Sequence, residues 1–381
     1  MVPFWLAYER ERGEPARRAG KPASADRFLV LEARLLWFFS RLARSRYGAD
    51  EHLSVARRGF EVLRDELWDA KFGGFAWAVD PRTRRATKPD KHVYGQAFGI
   101  YALSEFAAAS DSEEATSLAR RLFGLLESRA HDAEYGGYRE AFKRDWSPLA
   151  PTAVSYLHLP ASLKLMNTHL HVLEALDAYH RLTADPLARQ RLAELVLIQG
   201  SAVVRKDVGV CTNAHQRDWS PLRGRSHDRV SYGHDVENGR LLLEASQALG
   251  MPDAPLIDLA RSFFSHALRF GFDDRDGGFF ESGPFNRPAD DRQKVWWIQA
   301  EGLLSALDLY RRTGDRLYLR CFERTLDWIA TRQVDWTGGE WHAEITSSGA
   351  PRGAKVSAWK GPYHSGRAVL ECLAVLDSLR P

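Results

Sequence analysis

Three histidines lie where apolar helices are expected to begin, and imidazole is the side chain best suited to moving protons near neutral pH. His234 lies in SYGHDVEN, shortly before the apolar run LLLEASQAL, and Glu237 follows three residues later on the same helix face. His171 in NTHLHVLEAL and His364 in WKGPYHSGR have the same placement. One such histidine could simply cap or pack a helix. Three together predict a shared cavity for acid–base chemistry.

Other polar and aromatic side chains share the helices of these histidines or their counterparts. Arg34 lies in the apolar segment EARLLWFF, where a charge is costly unless it is paired with a carboxylate or faces a wet cavity; both interpretations are open. His169 and His171 are about 200° apart around a helix, so only one can face the cavity, and we favour His171. Trp297 and Glu301, spaced i,i+4, would place an aromatic plate beside a carboxylate, as a sugar ring requires; a core tryptophan with a surface glutamate is the alternative.

A repeated turn organises the chain around these residues. Paired glycines next to an aromatic residue occur in DAKFGGF, DAEYGGY, DRDGGFF and DWTGGEW and predict tight hairpins. The first glycines of these turns are Gly73, Gly136, Gly277 and Gly338. KDVGVC, with Gly209, fills the long gap, RDWSPL occurs at both 144–149 and 217–222, and ERERGEP, with Gly13, is a degenerate first copy. The spacings predict six units of roughly 60 to 73 residues.

Between the turns, the hydrophobic pattern has the 3.6-residue period of paired helices. An inner set is predicted at 26–46, 90–109, 166–183, 231–249, 293–313 and 363–379. Their partners are predicted at 50–69, 112–130, 186–205, 252–270 and 315–332, and residues 3–10 should pack on the last helix. Six hairpins that bury their apolar faces against one another predict an all-α (α/α)6 barrel, with 1–381 as a single catalytic domain. The alternative, an open solenoid, would need polar capping repeats.

Charge and cysteine content narrow the choice of partner and compartment. The 53 basic and 50 acidic residues give a net charge of +3, too small for a nucleic-acid or membrane-surface partner. Three distant cysteines, Cys211, Cys321 and Cys372, suit a reducing compartment. The start MVPFWLAYERERGEP lacks the order of a signal peptide. We therefore expect a cytoplasmic protein, either a monomer or a homodimer, that binds a small molecule.

Neither a metal nor a cofactor is expected. The histidines lack HExxH spacing, the cysteines lack CxxC spacing, and neither GxGxxG nor a P-loop is present.

Four segments in order, NTHLHVLEAL, SYGHDVE, KVWWIQAEGLL and GPYHSGR, resemble the N-acylglucosamine 2-epimerase superfamily, especially cellobiose 2-epimerases and their mannose-specific relatives. The resemblance runs from about Phe28 to the C-terminus. It implies an (α/α)6 barrel that acts on reducing sugars without a redox cofactor.

The resemblance also assigns roles. His364 and His234 match the pair that moves the C2 proton, whereas His171, Arg34 and Glu237 match residues that open the sugar ring or hold O1 and O2. The expected sugar-site residues are Tyr94, Asn167, Trp297, Glu301, Trp359 and Arg240.

Arg240 is also a departure from the family pattern. Cellobiose epimerases usually carry tryptophan at this position, whereas some mannose isomerases carry arginine. Three residues after Glu237, Arg240 should pair with that carboxylate and leave no aromatic plate for a second sugar ring; a solvent-facing Arg240 is the alternative. Ser365 also replaces a frequent asparagine. These features predict 2-epimerisation of D-mannose and D-glucose, with mannose–fructose isomerisation and cellobiose 2-epimerisation as alternatives.

The expected chemistry is removal of the C2 proton of an opened aldose by a neutral histidine. Arg34 and His171 would stabilise the cis-enediolate, and the positive end of a helix dipole would lower the proton affinity of the histidines. A glycoside hydrolase would instead use two carboxylates, such as Glu237 and Glu301, and would leave the histidines without a role. A non-catalytic sugar-binding toroid is the third class.

Overall fold

The computed structural model describes residues 1–13 and 26–379, which form a closed ring of helical hairpins. In chain order the helices are α1 Val2–Gly13, α2 Leu29–Arg44, α3 Asp50–Val62, α4 Val93–Ser110, α5 Glu113–Leu125, α6 Met166–Thr183, α7 Pro186–Leu197, α8 Tyr232–Leu249, α9 Ala254–Gly271, α10 Trp296–Thr313, α11 Arg316–Trp328 and α12 Tyr363–Ser378. The even-numbered helices contact one another in sequence, and α12 returns to α2. The odd-numbered helices pack outside them, so the predicted (α/α)6 barrel is confirmed.

The predicted helix ranges agree with the structure to within three residues at each end when the π-helical turns that extend the outer helices are counted. Four outer helices, α3, α5, α7 and α11, continue into single π-helical turns. These turns are Leu63–Leu67, Leu126–Ala130, Ile198–Ala202 and Ile329–Gln333. The inner helices are apolar on most faces because they are covered on both sides, whereas the outer helices are amphipathic.

Short strands connect neighbouring units of the ring at the end where the inner helices begin. They are β1 Arg27–Phe28, β2 Ala78–Val79, β3 Ala86–Lys88, β4 Lys91–His92, β5 Ala141–Phe142, β6 Lys164–Leu165, β7 Val204–Arg205, β8 Val210–Cys211, β9 Ala214–His215, β10 Arg229–Ser231, β11 Ser282–Pro284, β12 Lys294–Val295, β13 Glu344–Ile345 and β14 Pro351–Arg352. The antiparallel pairs β1–β2, β4–β5, β6–β9, β10–β11 and β12–β13 each join the residues before an inner helix to the next unit. Pairs β2–β3, β7–β8 and β13–β14 complete the small sheets.

The predicted hairpin turns are confirmed. The first glycine pair, Gly73 and Gly74, has φ of +71° at both residues, a left-handed conformation that favours glycine. Gly209 is also left-handed and lies in the β7–β8 hairpin, as expected. The fourth turn starts at Asp335, as predicted, but its glycine pair lies one residue earlier within the turn than in the first unit. The left-handed positions are therefore taken by Gly339 and Glu340.

An ion pair anchors these turns to the inner helices. The lysine before α4, Lys91, lies 3.2 Å from the carboxylate of Asp69, which opens the first turn. Two other units repeat this pairing, as Lys164–Asp132 and Lys294–Asp273. In the last unit Asp335 pairs with Lys355 in the loop before α12, and the lysine nearest the helix, Lys360, pairs with Glu340. The repeated RDWSPL segments add a clamp, because Arg144 bonds to Asp69 and the indole of Trp146 donates to the carbonyl of Gly73. Each turn is thereby fixed to the start of a helix.

Side chains from the inner helices also hold the residue after each glycine pair. Gln96 accepts from the backbone N–H of Phe75 at 2.8 Å and donates to its carbonyl at 2.9 Å. Gln299 does the same for Phe279. In the third unit His169 Nε2 accepts from the N–H of Tyr138 at 2.8 Å. His169 is therefore a structural residue, as favoured from the sequence.

The N-terminal helix closes the ring on the last hairpin. Trp5 is fully buried, and its indole N–H donates to Glu340 at 2.6 Å. The same carboxylate accepts from Ser365 at the start of α12, so Glu340 links α1 to the last inner helix. The expected degenerate turn ERERGEP is wrong for residues 9–13, which belong to α1; its last two residues lie outside the described part of the chain.

Among the described residues, the helices are too short or too polar to cross a bilayer. All three cysteines are buried, and none of them forms a disulfide.

The role of His169 predicts a pH effect on stability. Burial lowers the pKa of His169 to about 3, so below pH about 6.5 the unfolded chain takes up a proton there that the folded chain does not. Stability is therefore lost at this site as pH falls. Glutamine serves at the equivalent positions, so His169→Gln should fold. Relative to wild type, its free energy of unfolding should rise by about 2 kcal/mol between pH 7 and pH 4.5, measured by urea denaturation.

The reverse substitution in the second unit, Gln96→His, is the matched control. It should acquire the acid sensitivity that His169→Gln removes. A stability difference that stays constant between the two pH values would contradict the prediction.

Candidate active site

A cavity of about 220 Å³ opens at the end of the ring where the inner helices begin. Its lining residues are Arg34, Tyr94, Asn167, His171, His234, Glu237, Trp296, Trp297, Trp359 and His364. All six inner helices contribute to it. Because the helix N-termini converge here, their dipoles favour negative charge in the cavity.

The structure brings every predicted site residue to this cavity except Arg240 and Glu301. Of the two candidate histidines on α6, His171 lines the cavity and His169 does not. Trp296 also lines it, and was not anticipated from the sequence.

Two of the cavity histidines are held by carboxylates. His364 Nδ1 lies 2.7 Å from Glu301 Oε1, and His171 Nδ1 lies 3.1 Å from Glu174 Oε2. An ionised carboxylate can only accept, so in each histidine Nδ1 carries the hydrogen and Nε2 keeps a lone pair. Each imidazole is thus a base at Nε2.

The third histidine, His234, is only partly buried and lies against an aromatic ring. The centroid of its ring is 4.6 Å from that of Trp297, which in turn is 5.8 Å from that of His364. Burial lowers the pKa of both His234 and His364 to about 3, so both are neutral at pH 7. The predicted lowering of proton affinity is present, but desolvation rather than the helix dipole is its main cause.

Arg34 supplies positive charge to the cavity. Its Nη1 donates to the backbone carbonyl of Trp359, and its Nη2 donates to the hydroxyl of Tyr94 at 3.1 Å. The guanidinium also lies over the rings of Phe98 and Tyr363, 4.5 and 5.1 Å from their centroids. These partners are neutral, so the interpretation of Arg34 as a cavity residue, rather than half of a buried ion pair, fits the structure.

Glu237 and Glu301, the two glutamates predicted as site residues, differ in protonation. Burial, and then the negative charge of Glu301, raise the pKa of Glu237 to about 8. Burial also opposes ionisation of Glu301, but Arg367, His364 and Arg240 outweigh it and hold the pKa of Glu301 well below its usual range. At neutral pH Glu237 is therefore a neutral acid that lines the cavity, and Glu301 is an anion behind it.

Glu301 is fully buried and does not reach the cavity as expected of a sugar ligand. It lies one helical turn deeper than Trp297, where it accepts from His364. Its place in the structure is that of a partner for the histidine.

The predicted pair between Arg240 and Glu237 is wrong. Arg240 is buried, so the solvent-facing alternative is wrong as well. Its side chain bonds to Glu244 and Glu371, and its Nη2 is 3.5 Å from Glu301 Oε2. It lines a separate cavity of about 710 Å³, formed by the C-terminal halves of the inner helices. The i,i+3 spacing from Glu237 predicted the helix face of Arg240 correctly, but the long side chain of Arg240 extends toward the opposite end of the ring.

Glu237 pairs instead with a residue that the sequence analysis missed. Arg367 Nη2 donates to Glu237 Oε1 at 2.9 Å and to Glu301 Oε1 at 2.6 Å. A signal was present, because Arg367 lies in the apolar run GRAVLECL and follows His364 at i+3. The same argument from a charge in apolar surroundings had identified Arg34.

One group among the described residues has the spacing of metal ligands. Oxygen or nitrogen atoms of Glu237, Glu301 and His364 lie within 4.8 Å of one another. However, Arg367 donates to both carboxylates from between them, so a divalent cation would have to approach a guanidinium. The donor set does not fit a metal.

Several proteins of known activity are similar to this chain over most of its length. A cellobiose 2-epimerase from Ruminococcus albus is 34% identical over 385 aligned residues, which cover 98% of this chain and 95% of that protein. A D-mannose isomerase from Marinomonas mediterranea is 26% identical, with coverage of 92% and 87%. The structure of a cellobiose 2-epimerase from Bacillus thermoamylovorans matches with a TM-score of 0.88 at 27% identity, covering 98% of this chain and 96% of that one.

These similarities, with the barrel and its cavity, define the protein as a carbohydrate epimerase or isomerase. The family described as N-acylglucosamine 2-epimerase (GlcNAc 2-epimerase) matches residues 14–368. The chain belongs to this family.

The geometry around Arg367 predicts that chelation has no effect. Prolonged dialysis against EDTA should leave both the melting temperature and sugar turnover unchanged, because the guanidinium already neutralises the carboxylates that a metal would need. Titration calorimetry with Mn²⁺ on the dialysed protein is the direct measurement. A loss of activity that one added metal restores would show that the donor set was misjudged.

Proposed function

We propose that the protein epimerises a reducing aldose at C2 through a cis-enediolate. The observation that carries the proposal is a pair of neutral imidazoles, His234 and His364, on two different helices of one small cavity. Both rings lie against Trp297. Two such bases are what a reaction needs when a proton leaves one face of C2 and returns to the other.

Ring opening is the first step. It requires a base for the anomeric hydroxyl and an acid for the ring oxygen. His171 presents its Nε2 lone pair to the cavity and serves as the base. Glu237, protonated because its pKa is about 8, serves as the acid. In this tautomer His171 acts first as a base, since Nε2 accepts; once Nε2 has taken the anomeric proton, it can donate to the enediolate, as expected from the sequence.

Removal of the C2 proton is the second step. When His364 takes the proton, the adjacent anion of Glu301 stabilises the resulting imidazolium. The negative charge that develops on O1 and O2 falls near Arg34 and the hydroxyl of Tyr94, which are positioned as donors before the reaction begins.

The destination of the returning proton decides the product. The proton that His364 took passes to solvent, and His234, neutral at rest, first takes up a solvent proton. Its delivery by His234 to the opposite face of C2 gives the epimer, whereas delivery of a proton to C1 gives the ketose. His234 and His364 come from separate helices, and this supports epimerisation as the main outcome.

For the substrate, we favour a disaccharide with glucose at its reducing end, such as cellobiose. The reason for a monosaccharide was Arg240, and Arg240 lies outside the cavity. Trp296 and Trp359 are both partly exposed at the cavity and offer aromatic surface to a second ring. The relatives named cellobiose 2-epimerase cover nearly the whole chain.

D-mannose is the second candidate, for a specific reason. The cavity of about 220 Å³ is smaller than the roughly 300–1000 Å³ of sites that enclose drug-sized ligands. It therefore matches one sugar ring, which suits a monosaccharide or the reducing-end unit of a longer sugar. A glycoside hydrolase is not supported, because Glu301 does not line the cavity.

Proton NMR in D2O tests both reaction and substrate. Cellobiose, mannose, glucose, fructose and N-acetylglucosamine are offered separately, and exchange at C2 is followed. We expect deuterium at C2 of cellobiose, with a larger kcat/KM than for mannose. A preference for mannose would favour the second candidate, and absence of exchange with every sugar would leave a binding protein.

Replacing either proton carrier should abolish the reaction without unfolding the protein. His234→Ala and His364→Ala should each lower the C2 exchange rate about 10²- to 10⁴-fold, because each removes one acid–base group. His180→Ala is the control, since His180 lies near the C-terminal end of α6, away from the cavity. Near-wild-type exchange in both test variants, at unchanged melting temperature, would refute the two-histidine mechanism.

A further inference from the structure

Arg367 occupies the centre of the charged groups beneath the cavity. It follows His364 by three residues on α12 and is 1% exposed. Its Nη1 donates to Glu174 and to the hydroxyl of Tyr363, and its Nη2 donates to Glu237 and Glu301. One guanidinium therefore binds carboxylates from three different helices, α6, α8 and α10.

Two of these carboxylates are the ones that hold histidines. Glu174 accepts from His171 Nδ1, and Glu301 accepts from His364 Nδ1. In Glu301 the same oxygen, Oε1, accepts from both Arg367 and His364. The guanidinium thus fixes the orientation of the oxygen that decides which nitrogen of His364 carries the hydrogen.

We propose that Arg367 is a positioning residue, whose two terminal nitrogens hold Glu174, Glu237 and Glu301 in one cluster and so keep His171 and His364 in the tautomer with Nε2 free. The catalytic consequence of these two tautomers rests on the proposed function, whereas the tautomers themselves are independent of it.

The hydrogen bonds of the neighbouring cations show why neither Arg34 nor Arg240 can take the place of Arg367. The titratable and charged groups packed around the cluster are Arg34 from α2, His171 and Glu174 from α6, His234, Glu237 and Arg240 from α8, Glu301 from α10, and Tyr363 and His364 from α12. Arg34 donates to a carbonyl and a hydroxyl, and Arg240 is shared with Glu244 and Glu371. Arg367 alone among these cations donates hydrogen bonds to Glu174, Glu237 and Glu301.

Without the guanidinium, the two buried anions Glu174 and Glu301 would lose their main counter-charge, and both would take up protons more readily. A protonated Glu301 could then donate to His364 Nδ1, so the hydrogen of the imidazole would move to Nε2. The lone pair facing the cavity would be lost, and with it the base.

The first test is kinetic and uses Arg367→Lys, which keeps the charge but lacks the planar fork that reaches several acceptors. We expect kcat for C2 exchange to fall about 10²-fold or more, with KM within about 3-fold of wild type, because the substrate is not contacted. The loss of activity on acidification should begin at least about one pH unit higher, since Glu301 now takes up its proton at higher pH.

Arg191→Lys is the matched control for loss of a bridging arginine. Arg191 binds Glu127 at 2.7 Å and Glu194 at 3.2 Å on the outside of the ring. Its replacement should lower stability but leave the pH profile of exchange unchanged. If Arg367→Lys behaves as this control does, the proposed positioning role is wrong.

The second test reads the tautomer directly by ¹⁵N NMR of labelled histidine. In the wild-type protein the His364 ring should show a protonated Nδ1 and an unprotonated Nε2, and on acidification the proton should shift to Nε2 at a higher pH in Arg367→Lys than in wild type. This measurement needs no sugar, so it decides the inference even where the proposed function fails. If Arg367→Lys does not fold, the charge-balanced pair Arg367→Gln with Glu174→Gln replaces it, because Glu174 is the ionised partner and Glu237 is neutral. An unchanged pH for this shift in the folded variant would overturn the proposal.

Discussion

The ion pair between a turn aspartate and the lysine before an inner helix is the interaction on which the rest of the structure depends. Lys91, paired with Asp69, lies two residues before α4, and the third residue after this lysine is Tyr94. The third residue after Lys164 is Asn167, and the third residue after Lys294 is Trp297. All three of these side chains line the cavity. In these three units the pair thus fixes the start of the helix, and thereby which residue faces the cavity.

The electrostatics of the cavity follow from what each carboxyl group has beside it. Glu237 and Glu301 are both buried, and burial alone would leave both protonated. Arg367 donates to both, but His364 also donates to Glu301 and helps to keep it ionised, whereas the negative charge of Glu301 helps Glu237 to hold its proton. Two identical side chains acquire different chemistry because their neighbours differ. An anion and an acid are thereby available in one site at the same pH.

Most of the fold could be predicted because it is repetitive. The glycine pairs and the helical period are local signals, and the ring follows from counting them. In the fourth turn the glycine pair did not mark both left-handed positions, because Glu340 rather than a glycine takes one of them. The site histidines were found because they lie at helix starts. Arg240 was misplaced and Arg367 was missed, because spacing along a helix gives the face of a side chain but neither its direction nor its partner on another helix.

The contact between Trp5 and Glu340 has a consequence for the order of folding. Glu340 also accepts from Ser365, the neighbour of His364, so the first helix and the last meet beside the cavity. During synthesis α1 emerges first but finds this partner only after α12 has been made. The long loop between them must close before the last wall of the cavity is in place. A nascent chain can therefore form several hairpins early, yet it gains a complete site only in its final step of assembly.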